Sequence, residues 1–265
     1  MKYLNDVKAK DIKNSIGSDT TYQSKNSGCF TITSYLDSYN IGIKFVNTGY
    51  EMVARLECVK DGEVKDRLSP SVYNVGIIGD KYKTKVSGVD LREYTLWRNM
   101  LNRCYNKEYH KKHPTYTDCK VSKNFLRYDY FYEWCQKQIG FNCTDGNNRV
   151  FYLDKDLLNG EKIYSEYSCV FLPDEINATL RKMDSKRGKY PIGVSFRNDF
   201  NNFQAQISIN GKCNHLGFFD TELEAFNVYK TAKESYLKEQ AEKYKSQIDP
   251  RAYNALMKYE VNIDD

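Results

Sequence analysis

Two aspartates near a predicted turn are the residues of this chain best suited to hold a metal ion. Asp154 and Asp156 follow a short apolar run and precede the turn dipeptide Asn159-Gly160. Because residues i and i+2 face the same side of a strand, we expect the two carboxylates to point the same way. Such pairs can ligate Mg²⁺ for phosphodiester hydrolysis. They also serve as structural groups bonded to lysines or backbone amides, and both interpretations remain open.

Two of the three histidines lie between cysteines, in the pattern Cys104-x5-His110-x2-His113-x5-Cys119. Two cysteines and two histidines can form a closed zinc site. The spacing is not that of a zinc finger, however, and Lys111 and Lys112 lie between the two histidines, so the sequence favours surface histidines and buried thiols. In a further interpretation, His110 or His113 is the general base that completes a metal-dependent nuclease with the two aspartates.

Clear β periodicity begins near residue 193. The run 203–209 alternates apolar and polar residues, Asn210-Gly211 is a typical hairpin dipeptide, and runs 193–197 and 212–219 flank them. A long amphipathic helix is predicted to start at Asp220-Thr221. We therefore predict a three-stranded antiparallel sheet with this helix packed on its apolar face.

The opposite face of this sheet is predicted to be polar. A twisted sheet can enter a DNA major groove, where arginine pairs with guanine and glutamine with adenine. A solvated sheet face is polar in any case, and the pattern alone leaves both interpretations open. The residues predicted on this face are Arg197, Gln204, Gln206 and Ser208, with Lys212 or His215 from the third strand.

A basic segment, residues 181–189, precedes the sheet and is interpreted as a linker. Asp184 is its only acidic residue. Lysine and arginine side chains suit contacts with DNA phosphates. The basic residues predicted to make them are Arg181, Lys182, Lys186, Arg187 and Lys189.

A longer motif runs through these strands and the helix: Gly193-Val194-x-x-Arg197, Phe203-x-Ala205-x-Ile207 and His215-Leu216-Gly217-x-Phe219-Asp220-Thr221. Over about 55 residues the segment resembles the Apetala-type (ethylene-response-factor) DNA-binding domain. The resemblance implies that the sheet lies in the major groove, with Arg197 at the position of a DNA-contacting arginine. Phe203 and His215 stand where the family usually has tryptophan. Ser195 and Cys213 stand where it often has arginine.

A second set of motifs lies between residues 94 and 177: Tyr94-x-x-Trp97, Phe131-x-x-Trp134, Leu153-Asp154-Lys155-Asp156 and Cys169-Val170-Phe171-x-Pro173. These motifs resemble phage proteins that are labelled HNH-like homing endonucleases, several of which end in the same Apetala-type domain. The resemblance implies a Mg²⁺-dependent DNA endonuclease or nickase. An HNH nuclease, however, needs a histidine base in its hairpin, and residues 153–172 contain none.

Composition agrees with a partner that is a polyanion but does not require one. The formal net charge is +5 over 265 residues. The eight cysteines form no C-x-x-C pair, which indicates mostly buried thiols in a reducing cytoplasm. The first residues lack the apolar core of a signal peptide, and no apolar run is long enough to span a bilayer. We expect no membrane partner and a cytoplasmic location, in the host cell if the chain is phage-encoded.

The elements together predict an α+β protein of three small modules. We expect a loosely packed polar segment (1–27), an antiparallel β module (28–85), an HNH-like module with an α/β hairpin (86–180), the linker, and the Apetala-type domain with a helical extension (190–265). Asp90 with Glu93 is predicted to cap a helix, and Lys60-Asp61-Gly62 to form a hairpin turn.

Three functions remain open. The leading one is a double-stranded DNA-binding protein of the phage homing-endonuclease-like group, which cuts or nicks with Mg²⁺. Its rival is a non-catalytic DNA-binding regulator or anti-defence factor that has lost the nuclease histidine. The third is a protein-binding module that uses a surface rich in tyrosine, of which the chain has 23.

Overall fold

The chain forms two compact units. The computed structural model describes residues 8–158, 160–181, 188–209 and 211–264. One unit comprises Met1–Thr117 and Lys123–Tyr132, and the other comprises Asp118–Ser122 and Glu133–Asp265. The predicted α+β class is confirmed, because helices and small, mostly antiparallel sheets occur together. Within the described residues, every helix is too short or too polar to cross a lipid bilayer.

The first unit contains a four-stranded antiparallel sheet in chain order. Its strands are β1 (Tyr22–Gln23), β2 (Cys29–Asp37), β3 (Asn40–Phe45) and β4 (Glu51–Ala54). Helix α1 (Ala9–Asn14) precedes the sheet in the chain, and helix α2 (Leu56–Lys60) follows it. Phe30, Ile43 and Phe45 of the sheet form one core with Ile12 and Tyr22. Both of these last residues are buried. The expectation that the first 27 residues pack loosely is therefore wrong for the part that the structure describes.

The segment after β4 also differs from the prediction. Residues 56–60 form the short helix α2, whose Val59 side chain is fully buried in the core. Asp61 caps the C-terminus of α2, and Gly62 follows with a positive φ of 65°. Glycine is favoured there because other residues rarely adopt this conformation. The predicted hairpin turn at residues 60–62 is wrong: it is the end of a helix.

The remaining elements of the first unit lie around one long helix. They are β5 (Lys85–Val86), β6 (Val89–Asp90), α3 (Arg92–Tyr105), α4 (Lys107–Lys112), a 3₁₀ helix (Pro114–Tyr116) and the start of α5 (Tyr128–Lys137). Trp97 of α3 is fully buried, and its Nε1 donates to the carbonyl oxygen of Phe125 at 2.8 Å. Leu101 and Cys104 are also buried, so α3 packs with one apolar face.

Asp90 does not cap this helix as predicted. Leu91 occupies the N-cap position and has no side-chain cap. Asp90 belongs to β6 instead, and its carboxylate pairs with Lys85 at 3.2 Å and with Arg98 at 3.2 Å. Asp90, which the sequence pattern places at the N-cap of α3, is thus the last paired residue of the β5–β6 hairpin.

The second unit begins with two small pairs of strands. Their bounds are β7 (Lys120–Val121), β8 (Tyr152–Asp154), β9 (Ile163–Tyr164) and β10 (Val170–Leu172), followed by α6 (Asp174–Leu180). β7 pairs with β9 in parallel, and β8 pairs with β10 in antiparallel fashion. Phe171 of β10 is fully buried, and its ring centroid lies 5.8 Å from that of Trp134 and 5.3 Å from that of Phe141.

The predicted C-terminal sheet and helix are confirmed. The sheet consists of β11 (Val194–Arg197), β12 (Asn202–Ile209) and β13 (Lys212–Phe219), and the helices are α7 (Glu222–Lys243) and α8 (Pro250–Met257). Thr221 caps α7, because its side chain accepts from the Glu224 backbone while Glu224 reaches back to Thr221. Asn210 of the predicted hairpin turn lies outside the described residues, and Gly211 has φ 76°.

Candidate nucleic-acid interface

One face of the C-terminal sheet is covered by α7. Ala205 and Ile207 of β12 are buried, and Ile207 packs with Phe226 and Tyr229 of the helix. Gly193 allows this close approach. It has φ 80°, and a Cβ atom there would lie 2.0 Å from the Tyr229 ring. This face is core and is not available to a partner.

The other face of the sheet, called here the free face, carries most of the predicted polar residues. Strand register places Ser195 opposite Gln204, Gln206 opposite His215 and Ser208 opposite Cys213. Directly opposed residues share one face of an antiparallel pair. The side chains gathered on the free face from the prediction are Arg197, Gln204, Gln206, Ser208 and His215. Ser195 and Cys213, which the resemblance aligns with arginine positions of the Apetala-type family, lie with them.

Two contacts between neighbouring strands organise the free face. Arg197 Nη1 donates to Gln204 Oε1 at 3.2 Å, which holds the guanidinium over the second strand. The Arg197 side chain is still 41 % exposed, and its ion pair with Asp199, at 3.9 Å, is a weak surface contact. The Cys213 thiol donates to Gln206 Oε1 at 3.4 Å, so the Gln206 carboxamide is also oriented by the strand beside it.

Lys212 is not on the free face. Its register partner is Ile209, which packs against the core between the sheet and α7. Opposed residues point to the same side, so Lys212 lies on the helix side of the sheet, although it is exposed. A placement of Lys212 with Arg197 and Gln206 is wrong, because the strand register pairs Lys212 with Ile209 of the covered face and pairs His215 with Gln206 of the free face.

A β-bulge changes which residues of β13 face the free side. The register shifts between Ala205 and Gln206, so that two residues of β13 occupy the space of one. Without the bulge Phe218 would face the helix, but it lies opposite Gln204 on the free face and is 49 % exposed. Gly217, next to it, has φ 143°. Sequence reasoning missed Phe218, and a glycine inside the strand was the one signal of the irregularity.

An aromatic cluster forms around Phe218. Its ring centroid lies 4.5 Å from that of His215 and 6.3 Å from that of Phe200, which is 66 % exposed. The Arg197 guanidinium lies 5.9 Å from the Phe200 ring centroid. The free face therefore has a polar part around Gln206 and an aromatic end beside Arg197.

The basic segment is only partly described. Arg181 is exposed and its guanidinium lies 3.8 Å from Oδ1 of the partly buried Asp174, a long contact that contributes little. Lys189 is exposed, with its ammonium 4.9 Å from the Tyr190 ring centroid. Lys182, Lys186 and Arg187 lie outside the described residues, and their predicted phosphate contacts stay a prediction.

Asp154 and Asp156 occupy different surroundings. β8 ends at Asp154, which is buried, and its Oδ1 accepts from the backbone amides of Asp156 at 3.0 Å and Leu157 at 2.9 Å. The Asp156 side chain is 66 % exposed and binds the ammonium of the buried Lys155. The expectation that the two carboxylates point the same way is wrong, because the strand does not continue through both residues.

The pKa shifts of Asp154 and Lys155 agree with the different surroundings of the two aspartates. Burial raises the pKa of the Asp154 carboxyl, and the negative charge of Asp156 adds to that rise. Burial is the largest single effect on Lys155 and opposes its charge, but the bond to Asp156 and the nearby negative charges of Asp156 and Asp154 together outweigh burial, so the pKa of the ammonium is raised. Asp154 stabilises the turn after β8 by accepting from two backbone amides, and Asp156 forms an ion pair with Lys155. This arrangement does not fit a shared Mg²⁺ site, whose ligands must face one cation.

The histidines are placed in the first unit, on and after α4. His110 Nε2 lies 2.7 Å from the carbonyl oxygen of Arg103, and because a carbonyl only accepts, this nitrogen carries the proton. The His113 ring stacks on the Tyr109 ring at a centroid distance of 4.3 Å. In each unit, no three histidine, cysteine, aspartate or glutamate side chains among the described residues gather closely enough to hold a metal ion.

The cysteines behave mostly as small apolar residues. Cys104, Cys119, Cys135 and Cys169 are buried. Burial raises the pKa of Cys119, and raises that of Cys169 to about 12, so both remain protonated thiols near neutral pH. Cys104 and Cys119 belong to different units. The zinc site that the sequence disfavours, and the base role of His110 or His113, stay predictions.

Comparison of the chain with known protein families, with curated proteins and with solved structures finds no match. The resemblance to the Apetala-type domain and to HNH-like homing endonucleases therefore stays a prediction, and any function rests on the chemistry of the sites described above.

Proposed function

We propose that this protein binds double-stranded DNA with the free face of its C-terminal sheet in the major groove. The observation that carries the proposal is the side-by-side placement of Arg197, Gln204 and Gln206 on one uncovered face of a three-stranded sheet. Guanidinium and carboxamide groups match the hydrogen-bonding edges of guanine and adenine in that groove. The resemblance to the Apetala-type domain supports the same mode of docking.

Arg197 and Gln206 are the side chains proposed to read bases. Arg197 is oriented by Gln204 and yet keeps much of its surface exposed, and Gln206 is exposed and oriented by Cys213. A side chain already held near its bound position loses less conformational freedom on binding. This preorganisation favours sequence reading over a loose contact with the phosphate backbone.

The basic residues of segment 181–189 are proposed to position the protein on the phosphates. Contacts with phosphates supply affinity and register but carry no base information. Arg181 and Lys189 have exposed side chains, and within the described residues the 3.8 Å contact of Arg181 with Asp174 is too long to neutralise its charge. Their contribution is therefore expected to be the same for all sequences.

A non-catalytic DNA-binding protein is favoured over an endonuclease. Asp154 is buried and bonded to two backbone amides, while Asp156 neutralises the buried Lys155. Each carboxylate thus has a structural task, and the residues do not fit a Mg²⁺ pair. The nuclease hypothesis stays a prediction, and a nicking assay on supercoiled plasmid with Mg²⁺ or Mn²⁺ tests it. Divalent-metal-dependent nicking that an Asp154→Asn, Asp156→Asn double variant loses would contradict the non-catalytic proposal.

The proposal is tested by comparing Arg197→Ala with Lys189→Ala in fluorescence anisotropy titrations. A preferred duplex is first selected from a random pool with the full chain. Arg197→Ala should weaken binding to that duplex by about 1–3 kcal/mol and binding to random DNA by less. Lys189→Ala should weaken both equally, since it removes a phosphate contact.

Two outcomes would contradict the proposal. If the unmutated chain shows no DNA binding at low salt, the free face has another use. If Arg197→Ala lowers affinity equally for selected and random duplexes, Arg197 is a phosphate clamp and does not read sequence.

A further inference from the structure

The aromatic end of the free face is unlike a sheet face that is simply solvated. Such a face is expected to be polar throughout. Phe200 and Phe218 instead keep 66 % and 49 % of their surface exposed while their rings lie 6.3 Å apart. Single exposed apolar side chains are ordinary, but two in contact form a patch, and exposed patches mark binding surfaces.

The neighbours of this patch restrict what can cover it. Arg197 lies over the Phe200 ring and the His215 ring packs against Phe218, so the patch is bordered by the positively charged guanidinium and by an imidazole. The chain as a whole has a formal charge of +5. An apolar surface with a cationic border complements a partner that presents an apolar group within a negatively charged setting.

We propose that Phe218, supported by Phe200, contacts the C5-methyl group of a thymine in the major groove, beside the base that Arg197 reads. This inference rests on the proposed function. In an intact duplex the base faces are stacked and only their edges reach the groove. The thymine methyl is the apolar group that unmodified DNA presents there, and apolar side chains are its usual partners.

The bulge in β13 is what makes this contact available. It turns Phe218 to the free face, opposite Gln204, which bonds Arg197. The ring and the guanidinium therefore lie on one surface, on the two outer strands β13 and β11, with Gln204 of β12 between them. Their proximity predicts that the thymine lies within one or two base pairs of the base that Arg197 contacts.

The test replaces thymine by uracil, which removes only the methyl group. Each thymine of the selected duplex is replaced in turn, and affinity for the full chain is measured by anisotropy. Burial of one methyl group corresponds to about fourfold in affinity. We expect a loss of about this size at one or two positions and no change at the others.

Variants connect the effect to Phe218. Phe218→Ser should bind the thymine duplex about fourfold more weakly and should no longer distinguish thymine from uracil. Phe218→Leu, which keeps an apolar side chain, should retain part of the distinction. Tyr167→Ser is the matched control, because Tyr167 is an aromatic side chain of the same unit that is 76 % exposed outside the sheet. It should keep the full uracil effect.

Several results would overturn the inference. They are selected duplexes without thymine near the Arg197 contact, uracil tolerated at every position, or a uracil effect that persists in Phe218→Ser. A gain from 5-methylcytosine with no thymine effect would assign the patch to a modified base instead. A rise in 2-aminopurine fluorescence at the contacted step would show ring insertion between bases. If DNA binding itself is absent, the proposed function fails as well, whereas binding without a methyl effect removes only this inference.

Discussion

Asp154 is a residue whose local role follows from where β8 ends. Its side chain is buried at the last position of the strand, and it accepts from two backbone amides of the next turn. Such bonds satisfy amides that would otherwise lie inside the protein without partners. Burial of the carboxyl raises its pKa, so the charged form is held at some cost to stability.

The first prediction separates these two effects of Asp154. Asp154→Ala removes the acceptor of both amides and should lower the free energy of unfolding by about 1–3 kcal/mol. Asp154→Asn keeps an acceptor and removes the charge, so its loss should be smaller. Because the folded pKa of Asp154 is raised above its unfolded value, its contribution to stability is greatest at low pH and declines as pH rises through the folded pKa. Asp154→Asn does not titrate there. Its stability relative to the unmutated chain should therefore improve with increasing pH.

Urea denaturation at several pH values measures these differences. Asp118→Asn is the control, since the Asp118 side chain is 78 % exposed and its pair with Lys162 spans 3.5 Å at the surface. Its variant should change stability by no more than about 1 kcal/mol at any pH. A relative stability of Asp154→Asn that falls as pH rises would contradict the assignment of a buried, structurally bonded carboxyl.

The strands show how far residue patterns predict an element. The alternation of 203–209 placed Ala205 and Ile207 on the covered face, and Gln204 and Gln206 on the other, because period two is a property of every regular strand. A β-bulge breaks that period, because two residues of one strand then lie opposite a single residue of its partner. The contribution of Phe218 to the free face and the placement of Lys212 away from it depend on inter-strand register, which no single run of residues contains.

The second prediction concerns the packing of β11 on α7. Gly193 and Gly211 both have positive φ, but only Gly193 lies against a neighbour, with its missing Cβ position 2.0 Å from the Tyr229 ring. Gly193→Ala should lower the free energy of unfolding by about 2–4 kcal/mol through backbone strain and overpacking. It should also weaken DNA binding, because it displaces the strand that carries Arg197.

Gly211→Ala serves as the matched control for this packing contact. A Cβ there meets nothing within 4 Å, so only the backbone conformation is strained, at a cost of about 1 kcal/mol. Chemical denaturation of both variants gives the comparison. Equal losses would mean that the Tyr229 contact adds nothing beyond the strain of the backbone.

At the scale of the whole chain, local signals predicted elements better than they predicted what each element contacts. Composition made residues 1–27 appear polar and loose, yet Ile12 enters the core of the first sheet. The aspartate pair had the residue types of a metal site, but strand ends and burial gave each carboxylate another partner. Residue types and periods are local properties. The burial of a side chain and the group that it bonds depend on tertiary packing, which cannot be read from a single sequence.

The last prediction depends on the charge of the chain as a whole. A formal charge of +5, the basic segment 181–189 and Arg197 predict that binding of duplex DNA releases counterions from the phosphates. Roughly four to six phosphate contacts correspond to a slope of about −4 to −5 in a plot of log affinity against log salt concentration. Anisotropy titrations from low to moderate salt measure that slope. Replacing Arg181 and Lys189 together by alanine should reduce its magnitude by about 2 for every duplex, while Gln206→Ala should leave the slope unchanged and lower affinity for the selected duplex only. A slope near zero for the unmutated chain would contradict a phosphate-bound complex and, with it, the docking of the free face in a groove.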